Sequence, residues 1–389
     1  MTAPSAPHPT PTSVGPLTVR RTPLADIPRD TWDRLLAVTA RPTPFSRWTM
    51  HRAWWDAYGA TAHEQYLVCS RTTPGDVAAR EADIIAIVPL MHRHEVEPED
   101  AASFTTLRRP ADGTAVRPDA TAVFMAASYH ADYATLLCHP DDLAEVCAAI
   151  VQSLGTLVRA SDPWDVIDLR RLRADDPARP ALMAAFAGGP ADWTVVQEQE
   201  EVCPVVTLPD GDWDDYLATL DKKARHEIRR KLRRAESVGE VTFRQMPLDA
   251  ASVDAFIALH QKRWGEDGLF PSNEGGERSR RFLHRVTELE AAEGDSAQLQ
   301  LGQALVGDRV IFAGVGFDDG QTCYFYNAGS DTDARELSPG VTGAGAYIRD
   351  RIAAGRTRFD FLRGNEPYKY EWGAVDEPIY RIVVSRDPA

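Results

Sequence analysis

Residues 299–331 read LQLGQALVGDRVIFAGVGFDDGQTCYFYNAGSD, and residues 334–373 continue ARELSPGVTGAGAYIRDRIAAGRTRFDFLRGNEPYKYEWG. Three apolar runs rich in β-branched and aromatic residues are separated by Gly307-Asp308 and Asp319-Gly320. Those pairs are turn chemistry and predict a three-stranded meander. A Ser-Pro-Gly turn then opens a helix over 341–354, and RFDFLR, 358–363, returns as a short strand ending at Gly364. A meander, an anion-binding helix start and a returning strand, in that order, suit the holding of a phosphate-bearing acyl carrier. The order of elements points to acyl transfer.

The whole chain has 389 residues, enough for two domains that each bury a core. Its hydrophobic content of 43% and charged content of 26% are those of an ordinary globular protein. A formal charge of −15 argues against general nucleic-acid binding, since nothing global attracts a polyanion. The 5 cysteines (Cys69, Cys138, Cys147, Cys203, Cys323) show no CxxC pair and no metal-ligand spacing. That usage implies a reduced, cytoplasmic setting and no metal. The apolar run Ile84 to Met91 is too short to cross a bilayer, which takes about 20 residues. The tail MTAPSAPHPTPTSVGP, residues 1–16, reads as disordered and not as a signal peptide.

The rest of the chain divides into two halves of one plan. In 17–204, Trp32, Leu35 and Leu36 share a helical face, and SRWTMHRAWWDAYG predicts a second helix. Strands are expected at Gln65–Arg71, Asp83–Met91 and Val123–Ala126, the first two split by a TPGD turn. Asp141 or Asp142 caps a helix carrying Leu143, Val146, Ile150, Leu154 and Leu157. WDVIDLR, 164–170, is a strand, and WTVVQEQEEVCPVVTL adds one or two more. In 205–389 a long helix at 212–238 precedes helices at 249–264 and around Arg278–Glu290. The meander, the helix at 341–354 and the strands RFDFLR and IYRIVVS, 379–385, complete that half. WDVIDLR and FDFLRG hold matching places, the usual trace of a repeated fold. The expected class is therefore α/β (α+β), two tandem domains joined near 195–210, each a mixed, mainly antiparallel sheet flanked by helices.

The second half resembles the GNAT acyltransferase superfamily, in its CelD/BcsL-like branch related to the Fem peptidyltransferases. The residues that carry the resemblance are KKARHEIRRKLRRAESVGEVTF, FIALHQKRWGEDGLF, YFYNAGSD, ELSPG and FDFLRGNEPYKYEWG. It implies a GNAT-like acyltransferase domain over 205–389 and a degenerate, acceptor-side GNAT-like domain over 17–204. It also implies acetyl-CoA or another acyl-CoA as donor and a small-molecule or cell-envelope-precursor amine as acceptor. Some Fem-like relatives take aminoacyl-tRNA instead. One departure stands out: the pyrophosphate loop of the superfamily reads Gln/Arg-x-x-Gly-x-Gly/Ala, and here Arg335-Glu-Leu-Ser338-Pro339-Gly340 has Ser at the first Gly.

A helix start presents unpaired N–H groups and the positive end of a dipole, so Arg335, Ser338, Pro339, Gly340, Val341, Thr342 and Gly343 are the expected phosphate cradle. The resemblance adds Asn327 and Ala328, at the point where the strand splays to bind the pantetheine arm and polarise the thioester carbonyl. Acyl transfer to an amine needs a neutral amine and a protonated leaving thiol. Glu366 and Asp360 are candidate bases. Tyr368, whose unperturbed pKa is about 10, is the candidate acid. Lys369 suits an anionic group on donor or acceptor. His260, Arg263 and Trp264 end a helix and are candidates for an acceptor groove. Between Lys222 and Arg234 the chain carries a dense run of cations in an otherwise acidic protein, with Arg229 a candidate contact for an anionic substrate. Without interleaved aromatics, that run favours a small anion over tRNA.

Overall fold

A computed structural model describes residues 17–71, 83–93, 120–127, 129–157 and 163–386. The TPGD turn and the tail lie outside the described residues. The chain opens with β1 (Leu17–Arg21), α1 (Arg29–Val38), α2 (Trp48–Tyr58), β2 (His63–Glu64), β3 (Leu67–Arg71), β4 (Ile84–Val88) and β5 (Leu90–Arg93). Next come β6 (Ala122–Met125), β7 (Leu137–Cys138), α3 (Leu143–Leu157), β8 (Val166–Arg173), α4 (Ala178–Ala187) and β9 (Trp193–Thr207). The second half has α5 (Trp213–Thr219), α6 (Lys222–Glu236), β10 (Val241–Met246), α7 (Ala250–Trp264) and α8 (Glu274–Ala292). It ends with β11 (Leu299–Val306), β12 (Arg309–Asp318), β13 (Thr322–Ser330), α9 (Pro339–Ala353), β14 (Arg358–Asp360), α10 (Pro367–Glu371) and β15 (Val375–Arg386).

The meander forms as the turns predict, with Gly307 at φ 56 and Gly320 at φ 93, a left-handed region that favours glycine. Among the described residues one large sheet has the order β10-β11-β12-β13-β14-β9-β15-β8-β6-β5-β2, and a smaller one β1-β3-β4-β7. Most pairings are antiparallel; β13 with β14, and β6 with β8, are parallel. WDVIDLR and FDFLRG therefore do occupy equivalent places, each beside its own meander strand. The long strands β9 and β15 lie paired at the centre. β9 reaches β14 of the second half, while β15 reaches β8 of the first, so both halves build one sheet.

Helices cover both faces. Helices α5, α6 and α9 share one core with β12 to β14, through Leu217, Ile228, Leu232, Phe312, Tyr347 and Phe359. On the other face α2 of the first half packs with α7 and α8 of the second, through Trp54, Tyr58, Phe256, Phe282 and Val315.

Three elements differ from the sequence reading. Asp83–Met91 is two strands in two different sheets, because Pro89 lacks the N–H a continuous ladder needs. The helix at 212–238 is broken at Leu220-Asp221: Asp221 is extended and its carboxylate accepts the Lys223 and Ala224 amides at 2.8 and 3.1 Å, restarting α6. His139, not Asp141 or Asp142, is the side-chain cap before α3, accepting from the Asp141 N–H.

Candidate active site

The strand pair β13 and β14 holds together only from Thr322 to Tyr324, opposite Arg358 to Asp360. Beyond Tyr324, β13 runs on to Ser330 still bonded to β12 but without β14 on its other side. The divergence leaves a wedge with backbone groups of Phe325 to Ala328 along one wall. Asn327 and Ala328 lie on this stretch, half-buried. The Asn327 carboxamide takes the Ala328 N–H at 2.8 Å, and the Ala328 carbonyl accepts from Trp264 Nε1 at 3.1 Å.

Helix α9 packs on β12 and β13 near this wedge, with Gly343 against Phe312 and Tyr347 against Phe325. Ser338 sits in the left-handed region (φ 50, ψ 56), at the position where the superfamily pattern has glycine. The backbone turn is thus kept without the residue that adopts it most cheaply. The Ser338 N–H bonds Arg335 O at 3.1 Å, Pro339 has none, and Val341 and Thr342 both donate to Ser338 O. The Gly340 N–H is left as the amide at the exposed mouth of the turn, and nothing lies within 4 Å of the space its Cβ would take. The seven expected residues therefore split. Arg335 and Gly340 are exposed and Ser338, Pro339 and Val341 half-buried, whereas Thr342 and Gly343 face inward. Thr342 Oγ1 donates to Leu337 O at 2.7 Å, and Gly343 lies against the Phe312 ring.

The loop after β14 is tied to the first half of the chain. Tyr133 Oη donates to Asp360 Oδ2 at 2.7 Å and the Leu362 N–H to Oδ1 at 2.7 Å. Arg363 pairs with Asp132 and Glu201. Lys369 is buried (3% exposed), and its Nζ donates to the carbonyls of Leu362, Arg363 and Gly364 at 2.9, 2.7 and 2.9 Å and to Glu366 at 3.0 Å. Expected at an anionic substrate group, Lys369 instead holds the loop that carries the other candidates. That loop needs such a clip, since Leu362 is itself left-handed (φ 57). Glu366 precedes α10, and Tyr368 stands exposed with its ring edge-on to Phe361.

Burial pushes the Asp360 carboxyl up to about 6, against the Tyr133 and Leu362 hydrogen bonds that favour its charge. Its ordinary value is about 3.9. Between these values the folded chain binds a proton that the unfolded chain does not. Stability therefore falls as pH rises from about 4 to about 6, and the full cost is present above that. Asp360→Asn removes this cost. Its unfolding free energy relative to the unmodified chain is expected to rise by about 2 kcal/mol between pH 4 and pH 7.5. Chemical denaturation at the two pH values measures it; a difference that does not change with pH would contradict the assigned burial effect.

His260 and Trp264 share one end of α7 but not one environment. His260 is buried, burial lowers its pKa to about 4, and Gly329 of β13 lies against its backbone. Trp264 is exposed and stacks under Arg263, whose guanidinium is 4.6 Å from the ring. Only Arg263 and Trp264 present a surface. Helix α6 buries Ile228, Leu232 and Ala235 and turns its cations outward. Arg229 reaches Asp214 at 2.9 Å, and Arg230 and Lys231 reach Glu227. Leu232 lies beside Gly345, and Glu236 is 4.0 Å from Arg349, so α6 and α9 run side by side in the same direction. By this register the second turn of α6 lies opposite the first turn of α9, and exposed Lys222 and Lys223 lie opposite Arg335 and Glu336, just before it.

Two groups at the wedge were not assembled from sequence: the Tyr133 partner of Asp360, and a hydrogen-bonded chain from Tyr326 of β13 to His130, Tyr58 and Ser279. These contacts join residues 72 to 227 positions apart, and no local pattern marks them.

Residues 222–370 match the family model described as an acetyltransferase (GNAT) domain. The match takes in the meander, the α9 turn and the Lys369 loop. Across nearly the whole chain the fold is similar to that of FemX, with a TM-score of 0.54 and 10% identity over 91% of this chain and 96% of that one. It is also similar to a tandem GNAT protein from the clavulanic acid biosynthesis pathway, solved without AcCoA, with a TM-score of 0.50 and 10% identity over 96% and 99%. A conserved protein of unknown function from Bacteroides thetaiotaomicron VPI-5482 gives a TM-score of 0.52 and 13% identity over 95% and 100%. At these identities the likeness is one of fold. No curated protein matches the chain. The resemblance to a GNAT domain holds over 222–370, and the likeness to FemX is one of fold; the mixed, mainly antiparallel tandem architecture holds, and the CelD/BcsL-like branch is not reached by these likenesses.

Proposed function

We propose that the protein is an N-acyltransferase that moves an acyl group, acetyl in the simplest case, from acyl-CoA to a primary amine by direct attack. The observation that carries this reading is the wedge between β13 and β14 near α9, whose first turn carries the exposed Gly340 amide. A thioester arm laid in the wedge would meet the Asn327–Ala328 backbone, and its phosphates would meet the start of α9 and the Lys222–Lys223 turn. Residues 205–389 then hold the donor, with Glu366, Asp360 and Tyr368 as the candidate proton-transfer groups, and residues 17–204 shape the acceptor side.

Among the described residues, the first half offers no equivalent donor site. Its helix α3 starts behind Asp141, Asp142 and Glu145, whose charge would repel phosphate. The gap where its own strands part, lined by Phe45, His51, Pro89, Met125 and Tyr133, is a cavity of only about 10 Å³, room for one water. The acceptor amine is a small molecule or a cell-envelope precursor, in keeping with a Fem-related fold.

Thermal unfolding with acetyl-CoA, longer acyl-CoAs, free CoA and bulk tRNA tests the donor. A ligand bound only by the folded chain raises stability by about 2.7 kcal/mol at a hundredfold excess over Kd. A shift with a thioester is expected. The exposed cations of α6 favour a second reading, transfer from aminoacyl-tRNA, and a salt-sensitive shift with tRNA alone would replace acyl-CoA by that donor.

A further inference from the structure

Four side chains from both halves of the chain form one hydrogen-bonded line that ends at Tyr326, on the stretch of β13 that has parted from β14. Ser279 Oγ is 3.0 Å from Tyr58 Oη, Tyr58 Oη is 2.8 Å from His130 Nε2, and His130 Nδ1 is 2.7 Å from Tyr326 Oη. Ser279, Tyr58 and His130 are buried, and the His130 ring is stacked 3.9 Å from that of Phe282. Tyr326 is the half-exposed end. It comes two residues after the last β13 residue paired with β14. A bulge against β12 leaves it without a register partner, so its position is not set by a sheet ladder on either side. Its ring sits between Phe45 of the first half and Phe317 of β12.

We propose that the Tyr326 hydroxyl, in place of the candidates Glu366, Asp360 and Tyr368, carries the proton between the attacking nitrogen and the leaving sulfur, and that His130, held by Tyr58 and Ser279, is the positioning residue that fixes this hydroxyl. The proposal rests on the acyl-CoA reading above. As the amine nitrogen bonds the thioester carbonyl carbon and the C–S bond breaks, an N–H proton passes to the Tyr326 oxygen. The phenolic proton passes to the sulfur, which leaves as a thiol. Nothing else is consumed, and Tyr326 ends as it began.

Two opposite donor directions satisfy every group in the line, and the proposed role requires one of them. If Ser279 donates to Tyr58 and Tyr58 donates to Nε2, then His130 carries its proton on Nδ1 and donates to the Tyr326 oxygen. The Tyr326 O–H is then turned away from the histidine and free for the substrate, and the Nδ1–H steadies the phenolate character that develops in transfer. Burial supports this arrangement by lowering the His130 pKa to about 3, which keeps the ring neutral and able to accept from Tyr58.

The test is thiol release from acetyl-CoA with n-butylamine or water as acceptor, measured for the full chain and for Tyr326→Phe, His130→Asn, Tyr58→Phe and the Tyr326→Phe/His130→Asn double variant. Tyr326→Phe is expected to lower kcat by about 10²–10⁴-fold with the KM for acetyl-CoA unchanged. His130→Asn should lower kcat similarly, Tyr58→Phe by about tenfold, and the double variant no further than Tyr326→Phe alone, since the pair acts as one unit. Acetyl-CoA thermal shifts accompany each variant. Full kcat in Tyr326→Phe, or a loss of activity together with loss of the thermal shift, overturns the relay while leaving the acyl-CoA reading intact. An unmodified chain that neither shifts with acetyl-CoA nor releases thiol overturns that reading, and the relay with it.

Discussion

Lys369→Met is expected to lower the free energy of unfolding by about 3 kcal/mol, the scale on which breaking a buried charged cluster acts. Methionine matches the length and much of the volume of the lysine stem, so little of the loss comes from an empty cavity. The loss comes from hydrogen bonds. The ammonium serves the carbonyls of Leu362, Arg363 and Gly364 and the Glu366 carboxylate within 3.0 Å. In its absence these acceptors stay in a place water reaches poorly, and each unsatisfied buried group costs about 1–3 kcal/mol. Burial depresses the lysine pKa, and the Glu366 partner offsets only part of that cost to the charge. Urea denaturation followed by tryptophan fluorescence measures the change in midpoint. A variant within about 0.5 kcal/mol of the unmodified chain, the range of ordinary surface substitutions, would show that the loop does not depend on the clip. Because the same loop carries Glu366 and Tyr368, thiol release from acetyl-CoA should fall further than the lost stability alone explains.

Lys369 also shows where legibility in the sequence stops. Its neighbours Glu366 and Tyr368 mark the loop as chemical, but an ammonium buried among main-chain carbonyls leaves no side-chain pattern. The left-handed Leu362 that bends those carbonyls inward is equally silent, as most leucines avoid that region. Elements with strong local chemistry were readable: the glycine turns of the meander, the Pro339 helix start, and the apolar stripe of α6. That stripe also misled, since Trp213, Leu217, Leu220, Ala224, Ile228 and Leu232 keep helical spacing straight across the break at Asp221. A single cap outweighed six well-spaced side chains. Strands β1 and β10 and helices α4 and α10 went unread because they are short or flank stronger signals, and only pairing or packing partners fix them. The parting of β13 from β14 falls just before Asn327 and Ala328, but its lining from the first half depends on contacts between residues far apart in the chain, such as Tyr133 with Asp360.

Two glycines three residues apart should respond in opposite ways, and together they separate ligand binding from packing in the α9 turn. Gly343→Ala is expected to destabilise the fold by about 2–3 kcal/mol, the scale of overpacking in a filled core. A Cβ there would lie 2.5 Å from Phe312 Cβ and Cδ2, with the ring held between α9 and β12 and stacked on Phe325. Neither strand nor helix can retreat without opening the core that Tyr347 and Phe359 also fill. Gly340→Asp meets no such obstacle, as the space about its Cα is open and its φ is not in the left-handed region. An acidic side chain in the first turn of a helix is mildly stabilising, so the melting temperature should hold or rise slightly. The same carboxylate would stand where the phosphates are proposed to bind. At a cost of about 1–3 kcal/mol, acetyl-CoA affinity is expected to fall roughly 10- to 100-fold. Calorimetric titration of acetyl-CoA and thermal melts of both variants decide the matter. Affinity unchanged in Gly340→Asp would move the phosphates away from this turn. A stable Gly343→Ala that binds acetyl-CoA poorly would return Gly343 to the ligand and remove the packing role that its contact with Phe312 assigns it.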